Sequence, residues 1–95
     1  MRLDKNLELK IFERFFKRSG LEKSYNTNMI YENCIIVTTI CGKYTIAEIS
    51  YLKDNYIHHF LGVSAKNPND QRNDNIGIKV AIENALVILI SKLYI

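Results

Sequence analysis

The chain has 95 residues, 47% of them hydrophobic and 24% charged, and a formal net charge of +3. That length holds one hydrophobic core and excludes a second, the balance excludes intrinsic disorder, and so small a charge permits nucleic acid without demanding it. No apolar run reaches the roughly 18 residues of a membrane helix, and basic residues interrupt the first twenty where a signal peptide would need an apolar stretch, so the expectation is a cytoplasmic protein with no membrane partner.

In chain order, residues 5–19 predict an amphipathic helix. Leu7, Ile11 and Phe15 recur every fourth residue, Phe12 and Phe16 widen the stripe, and Lys10, Arg14 and Lys17 share the opposite face. Asp4 is its predicted cap and Gly20 its stop. Residues 20–32 are polar and irregular and read as loop. Residues 34–41, rich in β-branched side chains, predict a strand. Gly42-Lys43 predicts a tight turn, residues 44–52 a second strand, residues 53–55 another turn, and residues 56–65 a third strand. In that third strand Ile57, Leu61, Val63 and Ala65 alternate with Tyr56, His58, Phe60, Gly62 and Ser64. The first set is expected to pack on helices and the second to look outward.

Residues 66–75 read as loop, because Asn67 precedes Pro68 and is pushed out of the helical region. Asn73 or Asp74 then caps a last helix over residues 76–93. Its segment 85–90 is apolar on all sides, which predicts more neighbours than one copy offers and hence a homodimer. Tyr44, Tyr56, Phe60, Leu86, Leu89 and Ile90 are the expected oligomer interface. The fold class is α+β: a single two-layer domain over residues 1–95, in the order α-β-β-β-α, with a three-stranded antiparallel meander and both helices on one face.

Enzyme signatures are missing from the sequence. It contains no nucleophile elbow, phosphate-binding lysine loop, zinc-protease helix or dinucleotide glycine fingerprint, so no catalytic residue, cofactor or metal is expected. His58 and His59 are neighbours on a strand and point to opposite faces, where they cannot share a metal. Asp70 and Asp74 can serve as an acid/base pair, but capping and turn formation explain them more simply. Cys34 and Cys41 stand seven positions apart on one strand, about 23 Å between Cα atoms. A disulfide needs about 7 Å, so both are expected as free, buried thiols in a reducing compartment.

Two basic clusters are candidate binding surfaces. Lys10, Arg14, Lys17 and Arg18 can grip phosphates or simply form a solvated helix face. Lys66, Arg72 and Lys79 surround the start of the last helix, where Gly77 would allow an anion to approach, or they balance Asp70 and Asp74. Tyr44, Tyr56, His58 and Phe60 on an open sheet face can stack bases or bury themselves in a protein interface, and the second is the favoured expectation.

Residues 62–85 read G-V-S-A-K-N-P-N-D-Q-R-N-D-N-I-G-I-K-V-A-I-E-N-A. This run resembles a motif of small phage and prophage proteins, typically G-V-A-K-C-N-P-x-D-x-F-D-x-x-x-G-x-x-[LI]-A. The match is carried by Gly62, Val63, Ala65, Lys66, Asn67, Pro68, Asp70, Asp74, Gly77, Lys79 and Ala81; Ser64 and Arg72 depart from it. The resemblance implies an accessory protein of the anti-CRISPR or anti-defence kind, a non-catalytic inhibitor that binds a host defence protein or ribonucleoprotein. Lys66, Asn67, Asp70 and Arg72 are then a candidate contact loop. The α-β-β-β-α order also resembles the double-stranded-RNA-binding domain, which implies a small basic nucleic-acid-binding domain as the alternative.

Overall fold

The computed structural model describes residues 4–66 and 74–94. Helix α1 spans Lys5–Arg18, a 3-10 turn spans Leu21–Lys23, and a short helix α2 spans Thr27–Glu32. Strands β1 (Cys34–Cys41), β2 (Tyr44–Lys53) and β3 (Tyr56–Ala65) follow, and helix α3 spans Asp74–Leu93. The sheet is a three-stranded antiparallel meander in the order β1-β2-β3. The expected α+β class and the α-β-β-β-α order are present, with α2 added where a loop was expected.

Local chemistry accounts for the element ends. The Asp4 side chain accepts a hydrogen bond from the Asn6 N–H at 2.7 Å, and Gly20 takes a left-handed φ of 71° just beyond α1. Asn26 caps α2 by accepting from the Met29 N–H at 3.1 Å. Asp54 and Asn55 both have positive φ, 54° and 68°, which lets a two-residue turn follow the right-handed twist of β2 and β3. Gly42, at φ 59°, does the same for β1 and β2.

One face of the sheet is covered. Helix α3 turns Ile78, Ala81, Ile82, Ala85, Leu86, Leu89 and Ile90 inward, a period-3.6 stripe. Helix α1 adds Ile11, Phe12, Phe15 and Phe16. They pack against Ile36 and Thr38 of β1, Thr45, Ala47, Ile49 and Tyr51 of β2, and Phe60, Gly62 and Ser64 of β3. The segment 85–90 is therefore one-sided, because Leu86, Leu89 and Ile90 fill the protomer's own core while Val87 and Ile88 face out. The helix end is pinned to the sheet. Lys53 Nζ donates to the Leu93 carbonyl at 2.9 Å, Tyr25 Oη donates to the Tyr94 carbonyl at 2.9 Å, and the Tyr51 and Tyr94 hydroxyls bond each other.

The two faces of β3 are the reverse of the expectation. Tyr56, His58, Phe60, Gly62 and Ser64 lie on the helix side, and Ile57, Leu61 and Val63 face out. The reason is close approach. A Cβ at Gly62 would stand 2.0 Å from the Ala81 carbonyl oxygen and 2.4 Å from the Ala85 nitrogen, so α3 lies with its backbone directly on the strand. Gly62 admits the backbone of α3 on this face, and Phe60 packs into the core beside it.

Candidate functional site

The reversal of β3 leaves an uncovered apolar sheet face. Antiparallel partners share a face, so the register places its side chains in rows. Leu52 pairs with Ile57; Ile35, Ser50 and His59 form the next row; Val37, Glu48 and Leu61 the next; Thr39, Ile46 and Val63 the last before Tyr44. Ile57 is 64% exposed, Ile35 59%, Leu61 55% and Leu52 50%, with Val37 and Val63 also exposed. Scattered exposed apolar residues are ordinary, whereas this many on one sheet face, interrupted by Ser50, Glu48, His59 and Thr39, make it a candidate interaction surface. A shallow groove at one end is lined by Ile35, Leu52 and Ile57, with Ser50 and His59 beside them and Glu32 at its rim. Ser50 Oγ and His59 Nδ1 are hydrogen bonded at 2.9 Å.

Glu48 stands in the middle row of the central strand, flanked by Val37 and Leu61. It is exposed, and its carboxylate forms no ion pair or hydrogen bond among the described residues. No Lys or Arg occupies an outer-face strand position; Lys53 lies on the covered side with its ammonium 4.0 Å from the Tyr94 ring. The turn residue Lys43 has its ammonium 5.3 Å from the Tyr44 ring at the far end of the face.

The expected sites fare unevenly. Lys10, Arg14, Lys17 and Arg18 are exposed along α1, and the Arg18 guanidinium pairs with the Glu83 carboxylate of α3. Lys66 is exposed. Asn67, Asp70 and Arg72 lie outside the described residues, so the contact loop is not placed. Gly77 is buried, and a Cβ there would meet Thr45 Oγ1 at 2.9 Å; it faces the sheet rather than a bound anion. Phe60, Leu86, Leu89 and Ile90 are buried in the core and cannot meet a second copy without opening the fold. The expected aromatic face is not assembled. Tyr44 is on the outer face, Tyr56 is exposed on the covered side, and His58 stacks on the buried Phe60 with ring centroids 6.3 Å apart.

Both cysteines are free, but only Cys34 is shielded; Cys41, expected buried, is exposed at the hairpin end. Burial, and then the nearby Glu8 carboxylate, push the Cys34 thiol up to about 12. Glu8 itself was not anticipated as a buried group. It is 1% exposed, its Oε1 accepts from Tyr31 Oη at 2.7 Å, and its Oε2 has no partner among the described residues. The signal was present, since Glu8 continues the Phe12–Phe16 spacing by one turn, whereas Leu7 is exposed instead.

No known protein family, curated protein or solved structure matches the chain. Among the described residues no three of His, Cys, Asp and Glu converge as a metal ion requires, and no helix is long and apolar enough to cross a membrane.

Proposed function

We propose that this chain is a non-catalytic binding protein whose docking surface is the outer face of its sheet. The observation that carries the reading is the exposure of Ile35, Val37, Leu52, Ile57, Leu61 and Val63 together on one sheet face, around the polar Ser50, Glu48 and His59. Removing each half-exposed side chain from water is worth about 1 kcal/mol, a sum of the same order as the roughly 4–15 kcal/mol cost of association. Apolar contact on this face therefore supports association but leaves its strength to the polar groups of the interface. The resemblance of residues 62–85 to phage accessory proteins supplies the class of partner: a protein or ribonucleoprotein of host defence, blocked by occupation rather than by chemistry.

A second reading, nucleic-acid binding, rests on the exposed row Lys10, Arg14 and Lys17 along α1. One experiment separates the two. The parent, Leu61→Asp, and the double variant Arg14→Glu with Lys17→Glu are used to capture partners from a host lysate at about 50 and about 200 mM salt. The sheet-face reading expects a protein that is retained at both salts and by the double variant, and lost with Leu61→Asp. Nucleic acid that is lost at the higher salt and with the double variant would favour the second reading. Nucleotide turnover or nucleic-acid cleavage by the purified parent would overturn the non-catalytic reading.

A further inference from the structure

Given that docking surface, we infer that its partner is an amphipathic helix of another protein, carrying one Lys or Arg among its apolar contact side chains. The inference rests on the reading above and adds what the surface selects. Three strands at about 4.8 Å spacing present a strip some 14 Å wide, which one helix of 10–12 Å diameter covers. On the opposite face α3 lies along β2 and β3, and α1 completes the cover beside it. The groove at Ile35, Leu52 and Ile57 offers a seat for an apolar anchor at one end. In the middle row stands Glu48, a carboxylate between Val37 and Leu61. Covering it with an apolar surface strips its water and leaves a charge unpaired, which a bound complex does not tolerate. A cation opposite Glu48 resolves this, and Glu32 at the groove rim adds charge of the same sign.

A second copy does not fit this description. Centred face to face, two sheets bring Glu48 against its twin, or against Leu61 or Val37 of the other copy. Sliding one copy until its Lys43 comes opposite Glu48 moves it about 16 Å along the strands and leaves Ile35, Leu52 and Ile57 uncovered. The chain has 13 Lys and Arg in all, yet its outer strand positions hold none among the described residues. The charge pattern therefore selects a different protein and discourages self-pairing.

The test uses two synthetic amphipathic helical peptides, identical in their Leu and Ile face except for Lys or Glu at its centre. Each is titrated into isotope-labelled parent protein and into Glu48→Lys, with amide shifts followed by NMR and self-association followed by sedimentation. The inference expects shifts at Val37, Glu48 and Leu61, a preference of about tenfold or more for the Lys peptide, reversal of that preference in Glu48→Lys, and a monomeric parent. Equal affinities with shifts still on the outer face would overturn the charge selection and leave the docking surface standing. No binding, or shifts confined to α1, would overturn both. A parent dimer whose outer-face shifts vanish on dilution would overturn the heterologous partner in favour of a second copy.

Discussion

Gly62 is where α3 lies with its backbone against strand β3. With a Cβ position 2.0 Å from the Ala81 carbonyl and 2.4 Å from the Ala85 nitrogen, Gly62→Ala must push α3 off the sheet. The expected loss is about 3 kcal/mol or more, because the obstacle is backbone rather than a side chain that can turn away; a urea melt of the variant checks it. The two thiols provide a second contrast at this scale. Cys41 is exposed and is expected to react with a thiol reagent in the native protein at neutral pH, while Cys34, half-buried and bonded through Sγ to the Ile30 carbonyl, reacts only on unfolding. The pH dependence follows. Below the ordinary thiol value of 9.0 Cys34 is neutral in both states, and its contribution to stability is intact. Between that value and its folded value of about 12 only the unfolded thiol ionises, so stability falls as pH rises. Tyr51, raised from 10.0 by burial and then by its Tyr94 hydrogen bond, adds to the same alkaline loss. Urea midpoints at about pH 8 and about pH 10.5 should show the decline, and a smaller decline in Cys34→Ala. Loss of stability equal in both proteins would remove Cys34 from the account.

At the scale of elements, the strands, both hairpin turns and the two long helices were legible because each has a local cause. β-branched runs, Gly42, the Asp54-Asn55 pair and the Asp4 cap act within a few residues of themselves. Helix α2 was not legible as a helix. Its six residues, Thr27–Glu32, are too few for helical periodicity to show, and what holds it is the Asn26 cap, the buried Ile30, and Tyr31, which donates to Glu8 and packs edge-on against Phe12. Asn26→Ala is expected to cost about 1 kcal/mol and to speed hydrogen exchange at the Met29 amide, the donor to that cap, while leaving α1 and the sheet protected. An unchanged Met29 exchange rate would show that the packing of Ile30 and Tyr31 holds the element without the cap.

At the scale of the whole molecule, two leucines separate core from surface. Leu89 is wholly buried and Leu61 is 55% exposed. Leu89→Asp is expected to unfold the protein, since a charge in that core costs about 4 kcal/mol or more. Leu61→Asp should cost about 1 kcal/mol or less and keep a native circular dichroism spectrum. Equal destabilisation by both would mean that the outer face is covered in solution. The chain by itself determined the order of its strands and two long helices and which residues share a strand face, because helix period, strand alternation and turn chemistry are local. Which face became the core was decided only by tertiary packing. Alternation places Ile57, Leu61 and Val63 together on one side of β3 but does not say which side a helix will choose. The choice fell to the side with Gly62, Ala81 and Ala85, where backbones meet closely enough to pack tightly. The candidate surface was therefore hidden in the sequence as core. Its large apolar residues became exposed because the face with Gly62 and Phe60 took the contact with α3.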